Sequence, residues 1–421
     1  MRTAKIALVI TMGASLTLAA CGREDGDTGG GGAAPPGAEI TEGPATGTIT
    51  VWAMGAEGEE LQALAEGFTE DNPDATIEVT AVPWDAAHDK IATSIAGGET
   101  PDITQVGSTW MGEFAGTGAL DPTPELISPD DFFEGGWDTT VVDDVSYGVP
   151  WYVETRVLYY RTDLAEQAGL EAPATWDELK EFTAGLQEAG TEYGISLPPG
   201  QTGAWQTFLP FAWQNGVELT DGESWTLDTP EMVEALEYYA SFFEEGLTPA
   251  TGSTALESDF VTDVVGSFIS GPWHMALVAD QGGPEFEGKW DVAMMPQEEA
   301  GTSFVGGAAM VVFEDSENRD GAWKFIQYLT DPAVQGEFYT MVGALPSVRS
   351  AWEEGELASD PQLALFGQQL DDAKSPPSIS TWEQVADVID GQLEQVITGG
   401  KDAATAAADI QSGAESIGMG G

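Results

Sequence analysis

Between residues 47 and 106 the chain alternates short β-branched runs with longer amphipathic segments, and this alternation limits the possible folds more than any other feature. The β-branched runs predict a buried strand at residues 47–53 and further strands at residues 74–82, where the pattern alternates, and 102–106. The amphipathic segments, whose apolar residues recur every three or four positions, predict helices at residues 59–70 and 85–96. A β-α-β-α-β order implies an α/β fold with a parallel-rich sheet and right-handed crossovers.

Ligands of such sheets bind beyond the carboxyl ends of the strands, on the loops that follow them. Here those loops are residues 54–58, 82–85 and 107–110, and each contains polar or aromatic side chains. Helical periodicity continues further along the chain, at residues 175–189, 230–245, 258–269, 319–329, 332–342 and 381–398. The loops after the first three strands are therefore where we expect a binding site.

The first 46 residues have the composition of a targeting segment rather than of a folded domain. Arg2 and Lys5 precede an apolar stretch that is too short for a membrane span, and the quartet LAAC ending at Cys21 resembles the lipobox of bacterial lipoproteins. The resemblance implies that residues 1–20 are a signal peptide and that a lipid on the Cys21 sulfur anchors the protein at the extracellular face of the cell membrane. Residues 21–46, rich in Gly, Pro, Ala and acid, predict a flexible tether behind this anchor.

The chain has 72 acidic and 13 basic residues, and a formal net charge of −59. Nucleic acids and anionic lipid surfaces bind clustered cations, so both are excluded as partners of the folded part. The acidic excess fits either a strongly solvated surface or adaptation to high salt, where screening weakens the repulsion between like charges. The single cysteine excludes a disulfide framework.

Sequence motifs of catalysis and cofactor binding are absent. The chain has no G-x-x-x-x-G-K-[ST], H-E-x-x-H, G-x-S-x-G or C-x-x-C, and its two histidines, His88 and His274, are far apart in sequence. We therefore expect no enzymatic activity, no cofactor and no metal site. Carboxylates are so abundant that the pair needed for glycoside hydrolysis is neither supported nor excluded.

Eight segments within residues 47–415 carry a resemblance through their shared order and spacing. They are ITVWAMGAEGEELQALAEGFTEDNP, AGGETPDITQVGSTWMGEFAGTGAL, YGVPWYVETRVLYYRTDLAEQAGL, PATWDELKEF, FISGPWHMAL, FVGGAAMVVF, AWKFIQYLTDPAVQGEFY and ALPSV. In this order they resemble the bacterial extracellular solute-binding proteins of ABC-type sugar importers, the family that includes the maltose-binding protein.

The resemblance implies a type II periplasmic-binding-protein-like fold, in which two α/β lobes enclose a ligand cleft. It places the N-terminal lobe at residues 47–153 and 308–330, and the C-terminal lobe at residues 154–307 and 331–421. It also implies that a sugar or oligosaccharide binds in the cleft, that the lobes close around it by hinge motion, and that an ABC transporter permease receives it. We expect the protein to be a monomer.

A sugar has apolar faces and a rim of hydroxyl groups, so its receptor needs aromatic rings and planar polar groups. From the resemblance and from the loop positions we expect ligand contacts from Glu57, Trp84, Ser108, Thr109, Trp110, Glu154, Arg156, Trp205, Gln206, Trp213, Trp273, Gly306, Gly307 and Trp382. Trp273 matches the stacking tryptophan of the family, and Glu154 matches its carboxylate in the first segment between the lobes. The maltose-binding protein has an acid and a base at the positions of Thr109 and Trp110, and a lysine at that of Glu57, so maltose itself is not implied.

These residues also have structural interpretations. The tryptophans are alternatively core residues, Glu154 and Arg156 an ion pair at the hinge, and Gly306 and Gly307 flexible hinge residues. Two other functions stay open: a receptor for a non-sugar solute such as a polyamine or a peptide, and a surface glycosidase with two close carboxylates.

Overall fold

The computed structural model describes residues 37–353 and 355–420. The predicted signal peptide and the lipidation site at Cys21 lie outside these residues. The strands, in chain order, are β1 (Gly47–Met54), β2 (Ala75–Val82), β3 (Ile103–Gly107), β4 (Val141–Val142), β5 (Val145–Ser146), β6 (Val149–Thr155), β7 (Val157–Arg161), β8 (Ser267–Ser270), β9 (Trp290–Ala293), β10 (Ser303–Val312), β11 (Leu345–Pro346) and β12 (Ala373–Lys374).

The helices, in chain order, are α1 (Gly55–Asp71), α2 (Trp84–Gly97), α3 (Met111–Gly116), α4 (Glu134–Asp138), α5 (Thr162–Ala168), α6 (Trp176–Ala189), α7 (Trp205–Gln214), α8 (Pro230–Glu244), α9 (Leu256–Val261), α10 (Trp273–Gly282), α11 (Arg319–Leu329), α12 (Pro332–Val342), α13 (Gly355–Ser359), α14 (Pro361–Leu370), α15 (Trp382–Ile397) and α16 (Ala403–Ile417). Short 3₁₀ turns lie at Ser108–Trp110, Pro129–Asp131 and Arg349–Glu353.

The larger sheet has the strand order β11-β6-β10-β3-β1-β2, and β12 pairs with the first residues of β10. β1 runs parallel to β2 and β3, as the alternating pattern predicts. The crossover helices α1 and α2 cover this half, burying residues such as Leu61, Phe68 and Ile91. β10 is antiparallel to both β3 and β6, so the sheet as a whole is mixed.

The smaller sheet has the order β8-β7-β9, and both outer strands are antiparallel to β7. The expectation of a parallel-rich sheet is therefore wrong for this part of the chain. The reason lies in the connections: α10 joins β8 to β9, and β7 is inserted between these two strands, which run in the same direction.

Two chain segments connect the sheets side by side. β6 of the larger sheet is followed directly by β7 of the smaller one, and β10 begins next to that junction. The Thr155 hydroxyl donates to the carbonyl oxygen of Phe304 at 2.8 Å, and the Ser303 hydroxyl donates to that of Arg156 at 2.7 Å. These buried hydrogen bonds hold the two segments together between the lobes.

Each lobe has its own apolar core. Around the larger sheet the core includes Ile49, Leu61, Phe68, Trp151 and Trp323. In the second lobe one core includes Trp176, Phe208, Phe211, Tyr239 and Trp382. A further cluster surrounds Tyr159 and Phe268 on the smaller sheet and extends to Val153 and Leu345 of the larger sheet. The fold is thus two-lobed and α/β, with the first lobe built on the larger sheet.

The helix predicted over residues 258–269 is wrong in its second half. α9 ends at Val261, Asp263 has a φ of 64°, and residues 267–270 form strand β8. A left-handed residue stops a helix, and Phe268 is fully buried in the smaller sheet. The apolar periodicity there reflects a buried strand that follows a short helix.

The lobe boundary predicted between residues 330 and 331 lies later in the chain. Phe338 on α12 stacks on Trp151 of β6 with ring centroids 4.4 Å apart, and Leu345 of β11 pairs with Val153. α12 and β11 therefore pack on the larger sheet, so the predicted start of the C-terminal lobe at residue 331 is too early. The other lobe boundaries stay predictions.

The flexible tether predicted over residues 21–46 is wrong for its described part, which begins at residue 37. The carbonyl oxygen of Ala38 accepts a hydrogen bond from the buried Arg319 guanidinium at 2.8 Å. The backbone N–H of Ala45 donates to the Asn72 side chain at 2.7 Å, and Ala45 itself is buried. This part of the chain, residues 37–46, is a strap bound to the first lobe.

Among the described residues, no helix combines the length and the apolar character needed to cross a membrane.

Candidate functional site

A cavity of about 340 Å³ lies where the loops after β2 and β3 meet the two connecting segments between the lobes. Its lining residues are Trp84, Gly107, Ser108, Thr109, Trp110, Tyr152, Glu154, Gln206, Phe304, Gly306 and Gly307. Larger surface grooves of about 470, 540 and 590 Å³ lie elsewhere on the described chain, and none of them is lined by these loops. We take the smaller cavity as the site because ligands of such sheets bind at the carboxyl ends of the strands.

The cavity brings together eight of the residues predicted to contact a ligand: Trp84, Ser108, Thr109, Trp110, Glu154, Gln206, Gly306 and Gly307. Sequence reasoning missed Gly107, Tyr152 and Phe304. A signal for two of them was present, because side chains two residues apart in a strand share a face. Tyr152 is two residues before Glu154, and Phe304 is two residues before Gly306.

Two half-buried tryptophans form the aromatic wall of the cavity on the first lobe. Trp84 is the first residue of α2, and Trp110 ends the 3₁₀ turn after β3. Their rings meet edge to face, with centroids 5.6 Å apart at 65°. The His88 ring packs edge to face on the Trp110 ring, with centroids 5.2 Å apart. Its Nε2 lies 2.9 Å from a carboxylate oxygen of Glu113. The ring of Trp110 is therefore held in one orientation before any ligand arrives.

Acidic groups lie next to this wall. Burial raises the pKa of Glu57, and the negative charge of Glu154 raises it further. Burial also raises the pKa of the Tyr152 hydroxyl, with the charges of Glu57 and Glu154 adding to the shift. The carboxylates of Glu57 on α1 and Glu154 on β6 and the hydroxyl of Tyr152 on β6 are therefore close enough to influence one another.

Gly55 is a further site residue that sequence reasoning missed. It has a φ of 58°, and a Cβ at this position would lie 2.8 Å from Nε1 of Trp84 and 2.9 Å from a carboxylate oxygen of Glu57. A side chain there would displace both groups, and a positive φ strains any other residue type. Gly55 therefore allows the indole and the carboxylate to converge.

The glycines of β10 leave room for the backbone in the same way. Gly307 has a φ of 129°, and a Cβ there would lie 2.2 Å from the carbonyl oxygen of Tyr152. A Cβ at Gly306 would lie 2.8 Å from the Phe304 ring and 3.1 Å from a carboxylate oxygen of Glu154. Close packing of the two connecting segments requires both glycines, which gives them a structural role at the edge of the cavity.

Arg156 lies between the connecting segments and the second lobe and is 6% exposed. Its Nη2 donates to Gln206 Oε1 at 2.7 Å and to Glu154 Oε1 at 3.2 Å. Its guanidinium carbon lies 4.8 Å from the centre of the Trp273 ring and 5.0 Å from that of the Phe304 ring, so it makes a cation–π contact with each. Arg156 thus connects two cavity-lining groups to Trp273.

Trp273 begins α10 and is 40% exposed, beside the cavity rather than in its lining. A Cβ at Gly271 would lie 2.0 Å from Cζ3 of the Trp273 ring, so the indole lies flat against the glycine backbone. An exposed indole next to a cavity is available to a ligand that extends beyond it.

The structure corrects the expectations for Trp205, Trp213 and Trp382, which are 3%, 4% and 1% exposed. All three are in the core of the second lobe, and Trp205 meets Trp382 edge to face at 5.2 Å. The reason is that α7 is apolar on nearly every side, so it is buried and only Gln206 in its first turn reaches the cavity. Trp382 lies beneath that helix, in the first turn of α15.

A buried carboxylate fixes the beginning of α7. Asp390 accepts hydrogen bonds of 2.7 Å from the backbone N–H groups of Gly203 and Trp205. Burial raises the pKa of Asp390 to about 6, although these two hydrogen bonds oppose the shift. By holding the first turn of α7, Asp390 also fixes the backbone that carries Gln206.

The site as a whole offers aromatic faces, carboxylates, hydroxyls and one amide around a space the size of a small molecule. Within the described residues no group of three or more His, Cys, Asp or Glu side chains is placed to hold a metal ion. The arrangement is that of a binding site for a polar solute with apolar faces.

Known proteins resemble this chain over most of its length. The sequence model of the family described as bacterial extracellular solute-binding protein matches residues 53–336. The solved structure of the sugar-binding protein MalE from Xanthomonas citri is 32% identical, and the match covers 88% of this chain and 97% of that one with a TM-score of 0.84.

Two curated relatives extend the comparison. The diacetylchitobiose-binding protein DasA of Streptomyces coelicolor is 28% identical over 362 residues, which cover 82% of each chain. The maltotriose-binding protein of Pyrococcus abyssi is 26% identical over 369 residues, which cover 83% of this chain and 78% of that protein. Because the family model spans more than half of the sequence and the structural match extends over both lobes, the chain belongs to the bacterial extracellular solute-binding proteins, which bind their solutes and are not enzymes.

Proposed function

We propose that the protein captures a sugar or oligosaccharide in the cavity between its lobes and delivers it to the permease of an ABC transporter. The observation that carries this proposal is the combination in one cavity of the Trp84 and Trp110 rings with the polar groups of Glu154 and Gln206. Indole rings pack against the C–H faces of a sugar, and carboxylate and amide groups bind its hydroxyls. Relatives whose names record sugar ligands support the same class of ligand.

Capture would use a hinge at the two connecting segments. Closure of the second lobe onto the first would bring Trp273 over the cavity, because α10 belongs to the second lobe and Arg156 already holds Trp273 near Glu154. Hinge closure that sequesters the ligand is common in two-lobed binding proteins.

Anchoring would follow from the lipobox ending at Cys21, and a lipid there would hold the receptor on the extracellular side of the membrane, next to its permease. Replacing Cys21 by Ser is expected to release the protein from the membrane fraction while leaving sugar binding unchanged. Membrane retention of Cys21→Ser would contradict the lipid anchor and leave the binding function intact.

Calorimetry on the purified full-length chain tests the binding function. The panel is maltose, maltotriose, trehalose, cellobiose and N,N′-diacetylchitobiose, and we expect at least one Kd of about 1 μM, which corresponds to about −8 kcal/mol. The bound sugar should be recovered unchanged. Absence of heat and of any tryptophan fluorescence change with the whole panel would contradict the proposal.

A receptor for a cationic solute is the second candidate, because Glu57 lies beside Glu154 and forms no ion pair within the described residues. Spermidine and a basic tripeptide therefore belong in the same titration series. Binding of spermidine without binding of any sugar would favour this alternative.

A further inference from the structure

Gln206 lines the cavity from the first turn of α7, and its amide has a defined orientation. Its Oε1 accepts the 2.7 Å hydrogen bond from Nη2 of Arg156. A guanidinium group has donors only, so the amide oxygen must face it. Turning the amide over would place an NH₂ group against Nη2 at the same distance, which leaves two donors unpaired.

Arg156 is unable to move away and free the amide. It is almost completely buried, its guanidinium packs on the Trp273 and Phe304 rings, and its own carbonyl oxygen accepts from Ser303. The backbone that carries Gln206 is held by Asp390. Both ends of the Arg156–Gln206 hydrogen bond are therefore fixed.

The Nε2 of Gln206 has no hydrogen-bond partner within the described residues, and the residue lines the cavity. Glu154 is next to it, because both side chains bind the same Nη2 atom. An ionised carboxylate only accepts hydrogen bonds. The cavity therefore presents one fixed donor immediately beside one acceptor.

We propose that Arg156 is a positioning residue that makes Gln206 a permanent hydrogen-bond donor, so that the cavity selects a solute with two neighbouring oxygens, one accepting from Gln206 and one donating to Glu154. A vicinal diol of a sugar has this pattern. The inference rests on the proposed function, because it takes the ligand to be a sugar.

Analogues of the tightest-binding sugar of the panel test the selection, with each hydroxyl replaced in turn by fluorine or by hydrogen. Fluorine accepts weakly and donates nothing, whereas hydrogen does neither. In the wild type we expect one position where fluorine raises the Kd less than about threefold and hydrogen raises it about tenfold. At the neighbouring position both replacements should raise the Kd about tenfold.

Gln206→Glu is the decisive variant, because the new carboxylate pairs with Arg156 and keeps the shape of the amide while removing the donor. We expect it to melt like the wild type and to bind the fluorinated analogue at least tenfold more weakly relative to the parent sugar. Arg156→Gln frees the amide to turn, and should reduce the difference between fluorine and hydrogen to about twofold. Gln206→Glu carries the test if Arg156→Gln does not fold.

Two outcomes would overturn the inference. If the wild type binds a sugar and Gln206→Glu keeps the wild-type ratio between fluorinated and parent sugar, the fixed donor is refuted and the sugar-binding function stands. If no sugar binds the wild type at all, the proposed function fails and this inference fails with it.

Discussion

Two pairs of tryptophans, one in each lobe, have nearly the same internal geometry. Trp84 and Trp110 meet at 5.6 Å and 65°, and Trp205 and Trp382 meet at 5.2 Å and 82°. The first pair is half-buried in the cavity wall, whereas the second is within the core of the second lobe. Edge-to-face contact between indoles therefore does not indicate a binding site. The two pairs differ in the secondary structure that carries them, which is strand ends for the first pair and packed helices for the second.

The first pair follows parallel strands whose carboxyl ends open onto the cavity, so its rings have backbone behind them and free space in front. The second pair lies between α7 and α15, which are both covered by other helices. An indole packed between helices buries its apolar surface when the chain folds, so it contributes to stability. An indole at a strand end leaves part of that surface exposed, and a ligand buries it on binding. Removing one ring from each pair should therefore separate stability from affinity.

Trp382→Ala should give the largest effect of the series. Loss of a fully buried indole is expected to lower the free energy of unfolding by about 3–5 kcal/mol, through lost burial and the cavity left behind. Denaturant titration measures this change. The Kd of the folded fraction for the best sugar of the panel should change less than about twofold, and a large loss of affinity with unchanged stability would reverse our assignment.

Trp84→Ala should show the opposite behaviour. We expect the Kd to rise by about tenfold or more, because a stacking face disappears, and the free energy of unfolding to fall by only about 1 kcal/mol. Titration calorimetry and denaturant unfolding on the same preparation check both values. Equal destabilisation by Trp84→Ala and Trp382→Ala would remove the distinction between the two pairs.

Trp273→Ala tests whether the exposed indole of the second lobe completes the site upon closure. We expect the Kd to rise by roughly fivefold with a melting temperature within about 2 °C of the wild type, since the ring is 40% exposed. Leu277→Ala, which removes another exposed apolar side chain of α10, is the matched control and should leave the Kd unchanged. Strong destabilisation without loss of affinity would show that Trp273 is packing only.

The last prediction concerns the pH dependence of stability and the acid that fixes α7. The pKa of Asp390 is raised from its ordinary value of 3.8 to about 6 in the folded protein, chiefly by burial. The folded state therefore binds this proton more tightly than the unfolded state, so the contribution to stability is complete below about pH 4 and is lost as the pH rises through about 6.

Asp390→Asn should accordingly make the fall of unfolding free energy between pH 4 and pH 7 less steep than in the wild type, whatever its effect at any single pH. Denaturant titrations across this range measure the slope. Glu59→Gln, which removes an exposed acid of α1, serves as the control. Identical slopes for Asp390→Asn and wild type would show that the carboxyl group titrates normally.

The sequence was informative where local pattern and position coincide. The β1-α1-β2-α2-β3 order placed Trp84, Ser108, Thr109 and Trp110 on strand-end loops, and all four line the cavity. In the second lobe Trp205 and Trp382 were expected in the site from the family resemblance, and this expectation failed because burial there depends on how helices distant in sequence cover one another.

Other features depended on contacts that no local pattern encodes. Gly55 is a site residue only because α2 brings Trp84 over it, and Asp390 acts on α7 from almost two hundred residues further along the chain. The composition of the strap is that of a linker and predicts a tether, although Arg319 and Asn72 supply specific partners for its backbone. The composition of a segment shows how much apolar surface it is able to bury, but it does not show which hydrogen-bond partners distant segments supply.

The strap has a mechanical consequence for a receptor held at a membrane. The strap joins the first lobe directly before β1, at the amino ends of the parallel strands. The cavity lies at their carboxyl ends, on the opposite side of the sheet. If the proposed lipid on Cys21 anchors the protein, the pull of that anchor would reach the folded part through the first lobe. The second lobe would then move without pulling on the tethering segment, so the anchor would not add to the free energy that lobe closure requires.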